Sequence, residues 1–212
     1  MRKKTILCFG DSNTYGARPD GQGRYENRWP VVMQKLLGDE FKIIEEGLCG
    51  RTASIEDNFD PYLCGYKTIH MAINTHNPVD MVIIMLGTND IKRRFNLSIT
   101  DVSRGVEECI NKIKGIYYFN NQALPKILVI APAPINEGIY NCEFASMFNF
   151  YEGIQKSKDI IQMLKEVSKA QKCEFLDASQ YIRASKIDGI HLDEEAHEVL
   201  GNTVAHKVKE LF

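Results

Sequence analysis

The chain has 212 residues, of which 44% are hydrophobic and 25% charged, close to the average for globular proteins. Lys plus Arg number 26 and Asp plus Glu 28, a formal charge of −2, so no basic field invites nucleic acid or anionic lipid. A chain this long buries roughly 70% of its unfolded surface and folds without a metal or disulfide staple, and no linker or repeat divides it, so one domain over 1–212 is expected.

The opening Met-Arg-Lys-Lys imitates a signal peptide, but the apolar run from Thr5 to Phe9 stops at Gly10-Asp11-Ser12, too short for a signal core. No stretch approaches the ~18 apolar residues of a membrane span. Cysteines 8, 49, 64, 109, 142 and 173 form no CxxC pair. They read as neither a disulfide framework nor a zinc site, which points to a reduced, cytoplasmic protein with no membrane partner.

Five short runs, Thr5–Phe9, Phe41–Ile44, Met81–Leu86, Lys126–Ala131 and Cys173–Leu176, are apolar or β-branched on both faces, as strands of a parallel sheet are. Helical patterns lie between them. Arg28–Leu37 carries Pro30 at its start and Gly38 at its stop. Val102, Val106, Ile110, Ile113 and Tyr117 form one stripe, and Ile154, Ser157, Ile161, Leu164 and Val167 another. Ala196, Leu200, Val204, Val208 and Leu211 line the last helix, entered at Leu192-Asp193. The alternation predicts an α/β fold: three layers, a flavodoxin-like five-stranded parallel sheet with helices on both faces. Two connections, 91–100 and 133–150, are long, and the second is rich in aromatics. Such loops either bind ligand or cover an apolar edge.

Ligands of an open parallel sheet bind outside the carboxyl ends of its strands. There the chain places Gly10-Asp11-Ser12-Asn13-Thr14-Tyr15-Gly16, Glu45 to Thr52, and Gly87-Thr88-Asn89-Asp90, and before the last helix Asp188-Gly189-Ile190-His191. Singly, each has an ordinary explanation: Ser12 as a helix cap, Asn89-Asp90 and Asp188-Gly189 as turns. Together they supply the parts of acyl transfer, namely a nucleophile, a base, a carboxylate to orient it and donors for an oxyanion.

These four blocks resemble the SGNH, or GDSL-type, hydrolase superfamily over nearly the whole chain. Glu45-Glu46-Gly47-Leu48, Arg51-Thr52, Ile83 to Asp90, Arg28-Trp29 and Lys92 look closer to its arylesterase and acyltransferase subgroup. Asn13 departs from the usual leucine after the serine, and Gly50 stands where some arylesterases carry alanine. The resemblance implies Ser12 as nucleophile, His191 as general base and Asp188 as its orienting partner. It implies an oxyanion hole of the Ser12 and Gly50 amides and the Asn89 carboxamide. From the residues alone, glycine at 50 says only that a backbone approaches closely. Asp11 is expected to brace the turn. Tyr15, Lys92, Phe144, Phe148 and Ile190 are expected to line or rim the pocket.

The expected activity is hydrolysis, with possible transfer, of short acyl groups, acetyl above all, from carboxylic esters, without cofactor or metal. A carbohydrate O-acetyl esterase is the alternative, followed by a thioesterase or lysophospholipase. From another class, a hydroxyl-rich turn at 11–16 would suit the phosphate of FMN in a flavodoxin-like binder, although that leaves Asp188 and His191 unexplained. A Gly-x-Ser-x-Gly elbow, a dinucleotide fingerprint and a His-Glu-x-x-His helix are all missing. His191, Asp193, Glu194, Glu195 and His197 crowd one segment. Asp193 and Glu194 are expected to favour the positive end of the last helix, with His197 exposed. The subgroup's assembly implies a homo-oligomer with contacts near 55–65 and 133–150.

Overall fold

The structure, a computed structural model, describes residues 2–212. Strands β1 (Lys4–Gly10), β2 (Phe41–Gly47), β3 (Met81–Met85), β4 (Lys126–Ala131) and β5 (Glu174–Asp177) form one all-parallel sheet in the order β2-β1-β3-β4-β5. Alternate residues of each strand feed two separate cores, which is why the strand runs are apolar on both faces. Leu7, Phe9, Val82, Ile84 and Val129 point to one side and meet α3 (Gly65–His76), α4 (Ile99–Phe119) and α5 (Tyr151–Ala170) through Ile69, Val106, Ile110 and Leu164. Ile6, Cys8, Ile83, Leu128 and Ile130 point to the other and meet α2 (Trp29–Leu37) and α6 (Glu194–Leu211) through Trp29, Met33, Leu200 and Val204. The result is a three-layer α/β sandwich.

The helix ends follow local chemistry. Ser98 and Asp101 form a reciprocal capping box at the start of α4. At the start of α6, the Asp193 carboxylate accepts from the Ala196 amide at 2.9 Å, the expected placement of an acid at the positive helix end. α3 lies in a stretch for which the sequence reading names no helix. Its buried stripe is short, Ile69, Ala72 and Ile73, and His70, Asn74 and Thr75 interrupt any longer apolar face.

His197, expected exposed, is instead fully buried between α2 and α6. Its Nδ1 accepts from the Trp29 amide at 3.3 Å, and Tyr25 stands edge-on to the ring. Burial, helped by the His191 and Arg28 charges, lowers its pKa to about 4. A base depressed in the folded state contributes stability above its unfolded value near 6.5 and loses it as pH falls through the folded value. His197→Gln, whose carboxamide oxygen can accept the same amide, should therefore lose less stability than wild type between pH 7 and pH 4. The gap expected is about 3 kcal/mol, read from urea melts across that range. Parallel pH slopes for the two proteins would refute it.

The sheet's strand order reverses between β1 and β3, so the loops leaving these strands diverge and open a crevice. Close to the crevice, α1 (Ser12–Tyr15) packs directly on the end of β2. A Cβ at Gly47 would lie 2.2 Å from the Tyr15 amide nitrogen, so only glycine lets the turn approach the strand.

Candidate active site

Asp11 caps α1, accepting from the Asn13 amide at 2.9 Å. The cap role is thus filled by Asp11, and the Ser12 hydroxyl is free to point elsewhere. Ser12 Oγ lies 3.0 Å from His191 Nε2, and His191 Nδ1 lies 2.5 Å from Asp188 Oδ2. The carboxylate can only accept, so Nδ1 carries the proton and Nε2 is left to accept from the serine hydroxyl. Asp188 Oδ1 is held by the amides of Ile190 and His191 at 2.9 and 3.0 Å. Burial pushes the Asp188 pKa up, but the His191 hydrogen bond and charge and those two amides outweigh it. They hold it below the usual carboxylate value.

Ser12 and His191 are 179 residues apart, and one side chain fastens their segments together. Asn13 Nδ2 donates to the Ile190 carbonyl at 3.2 Å, and its Oδ1 accepts from the Leu192 amide at 3.0 Å. Both bonds are buried, so the carboxamide works as a two-point staple across the histidine. The residue that departs from the usual leucine is thereby tied to the site's geometry. Only the tertiary contact reveals it.

Asn89 follows β3 on a 3₁₀ turn, borders the same cleft as Ser12, and donates one Nδ2 hydrogen to the Arg51 carbonyl at 3.1 Å, which leaves its other hydrogen uncommitted. Gly50 has φ +84, a left-handed conformation that turns its amide away from the regular path of the chain. Arg51 is buried, stacked 4.1 Å above Phe9, and donates to the carbonyls of Gly10 (2.8 Å) and Glu46. It ties the ends of β1 and β2 to the loop that carries Gly50, and burial lowers its pKa to about 10. Asp90 accepts from the Ala53 amide through both oxygens and holds the same loop from the β3 side. Burial raises its pKa to about 7 and that of Asp11 to about 6.

A cleft of ≈ 660 Å³ opens over these groups, and Tyr15, Lys92, Phe144, Phe148 and Ile190 all reach it. Phe144 stands edge-on to the His191 ring with centroids 6.2 Å apart. Phe148 is almost wholly buried, in a small core with Ile135, Ile139, Ala145, Ile154 and Ile190. The long 133–150 connection is thus a folded cover of two 3₁₀ turns, Glu137–Asn141 and Glu143–Met147. Tyr140 and Phe150 stack on each other on its outer side, half exposed. Cys49, beside Gly50, is exposed, and all six cysteines are free thiols. His76, for which the sequence offers no partner, lies 3.0 Å from Glu46. Among the described residues no cluster of three or more His, Cys, Asp or Glu is placed to hold a metal.

The fold and the groups gathered at its carboxyl edge define an ester hydrolase of the α/β type. The chain belongs to the GDSL-like lipase/acylhydrolase family, whose model matches residues 8–199. Among solved structures, Est24, a carbohydrate acetylesterase from Sinorhizobium meliloti, is 38% identical with TM-score 0.93, over 99% of this chain and 100% of its own. The aryl esterase of M. smegmatis is 35% identical with TM-score 0.90, over 99% and 100%. A second carbohydrate acetylesterase family member from S. meliloti is 32% identical with TM-score 0.91, over 98% of each chain. No match is found among curated proteins.

Proposed function

We propose that this esterase cleaves short acyl esters, acetyl first, through an acyl-enzyme on Ser12. His191 takes the Ser12 proton as Oγ attacks the ester carbonyl. The oxyanion meets the Ser12 and Gly50 amides and the free Asn89 Nδ2 hydrogen. Collapse of the tetrahedral intermediate expels the alcohol, which His191 protonates, and water activated by the same imidazole then releases the acid. Asp188 holds the tautomer this cycle needs and stabilises the imidazolium. The observation that carries the reading is the continuous Ser12–His191–Asp188 hydrogen-bond chain. An FMN site in the 11–16 turn would leave that chain without a purpose.

The short-acyl preference is supported by the cover, where Phe144 and Phe148 close the cleft beside the imidazole. Hydrolysis of p-nitrophenyl esters from acetate to octanoate tests it: kcat/KM should fall steadily with chain length. A profile that rises toward octanoate would overturn the assignment. A second reading, acetyl removal from carbohydrate, draws on the likeness to Est24 and on the polar groups at the cleft mouth, including Arg18, Asp20 and Asp60.

We also infer one folding unit over 1–212, supported by a single sheet from Lys4 to Asp177 and by the helices packed on its two faces, the last ending at Leu211. A homo-oligomer is supported by exposed aromatics in the two loops that border the cleft, Phe59 and Tyr62 in the first and Tyr140 and Phe150 in the second. Six free thiols favour a reducing, cytoplasmic setting. No helix of the described residues is long and apolar enough to cross a membrane.

A further inference from the structure

Lys92 is the cleft cation that the mechanism leaves unused and that has no ion-pair partner among the described residues, since Arg18 and Arg94 are both paired. It follows the 3₁₀ turn of Asn89, three residues along the chain, and is 8% exposed, yet its ammonium has no carboxylate within 4 Å and no hydrogen-bond acceptor among the described residues. Its stem is largely buried, but the ammonium is not among the fully enclosed unpartnered polar atoms, so it ends in open ligand space with its donors unfilled. Its opening faces ligand space on two sides. Lys92 borders the catalytic cleft with Ser12, Asn89 and His191, and also a side cavity of ≈ 390 Å³ lined by Arg93, Arg94, Ser146 and Met147.

The neighbouring charges show which cations are available. Arg94 is committed to the buried Asp57 carboxylate, and Arg18 to Asp20. Arg93 is exposed and has no ion pair among the described residues. Asp11, Asp57 and Asp90 lie near enough to Lys92 to favour its charged form, while burial and Arg94 lower its pKa. Asp60 and Glu143 at the mouth are anionic but sit on the cleft side, and neither borders the side cavity. The side cavity therefore offers two unpaired cations and the Ser146 hydroxyl, with no acidic lining.

We propose that Lys92, with Arg93 and Ser146 across the side cavity, docks a carboxylate carried by the ester, so that the enzyme's substrates are acidic esters rather than neutral ones. This rests on the esterase reading above and names the class of ester it acts on. The carboxylate can belong to the leaving alcohol, as in an acetylated hydroxy acid or sugar acid, or to the acyl part, as in a half-ester of a dicarboxylic acid. Either places an anion against an unpaired cation on a largely buried stem, and a charge-assisted contact of that kind is worth roughly tenfold in binding or more.

The test compares charged and neutral partners of the same shape. For the leaving group these are 3-acetoxybenzoate and 3-acetoxybenzamide; for the acyl group, mono-4-nitrophenyl adipate and 4-nitrophenyl hexanoate. In wild type, kcat/KM should favour the charged member of at least one pair by about tenfold, mainly through KM, and the pair that responds identifies which end carries the carboxylate. Lys92→Met should bring that ratio to about one, Lys92→Arg should keep most of it, and added salt should erode it in wild type. A wild-type ratio near or below one for both pairs, or a ratio that Lys92→Met leaves unchanged, would overturn the proposal.

If Lys92→Met does not fold, product inhibition of wild type decides the matter. Inhibition of p-nitrophenyl acetate hydrolysis by 3-hydroxybenzoate and adipate should then be compared with inhibition by 3-hydroxybenzamide and hexanamide, and no advantage for either acid counts against a carboxylate dock. Ser12→Ala in parallel separates this failure from that of the parent reading. Neutral-ester turnover that disappears in Ser12→Ala leaves the esterase assignment standing even where the acidic preference falls.

Discussion

Ser12→Ala should lower kcat for p-nitrophenyl acetate by about 10⁴-fold or more and leave the thermal midpoint unchanged. The two halves of this expectation come from different atoms. Oγ donates only to His191, so its removal deletes the nucleophile and nothing that holds the turn. The turn itself is held by the Asp11 carboxylate on the Asn13 amide and by backbone bonds from Gly16 and Ala17 to the Ser12 carbonyl, none of which involves the hydroxyl. Substrate should still bind, because the Asn89 carboxamide and the amides of positions 12 and 50 remain. A variant that keeps a tenth of the activity would exclude an acyl-enzyme on Ser12, while a variant that loses activity and stability together would show that the serine is structural.

Asp188→Asn should be nearly as damaging, on the order of 10⁴-fold in kcat, although it changes one atom. The carboxylate already divides its work. Oδ1 accepts from the amides of Ile190 and His191, and Oδ2 faces Nδ1. An asparagine must keep its oxygen toward the two amides, since turning it round would set an NH₂ against two N–H donors. Its NH₂ then faces His191 Nδ1 and forces that nitrogen to accept, which moves the ring proton to Nε2. An imidazole protonated at Nε2 donates to Ser12 Oγ and cannot take its proton. The loop should fold normally, so the loss appears in kcat with KM little altered. Activity within tenfold of wild type would mean that the imidazole keeps its tautomer without Asp188.

The parts visible in the sequence were those encoded locally. Strands buried on both faces announce themselves because every residue from Ile6 to Phe9 or Val82 to Met85 must be apolar, whichever core it enters. α4 and α5 are long enough for their stripes to repeat several times, whereas α3 turns only three side chains inward before polar residues resume. The cover at 133–150 was visible as an aromatic-rich connection. Its shape was not, because two short 3₁₀ turns have no period long enough to read. The site divides the same way. Serine, asparagine, aspartate and histidine stand out at strand and loop ends. Asn13 and His197 do not, since the contacts that define them, to Ile190 and Leu192 and to Trp29, are made by segments more than 160 positions away.

That separation gives the Asn13 staple a consequence in time. Ser12 leaves the ribosome well before the segment that clasps its neighbour Asn13, Ile190 to Leu192, which follows 177 to 179 positions later. α6 then has to lie down on α2, with Gly201 letting it come within contact of the Trp29 carbonyl. Until then the nascent chain holds a serine with no base and half a sheet face without cover. Closure of this long loop is thus the same event as the assembly of the serine with its base, a delay built into the order of the chain.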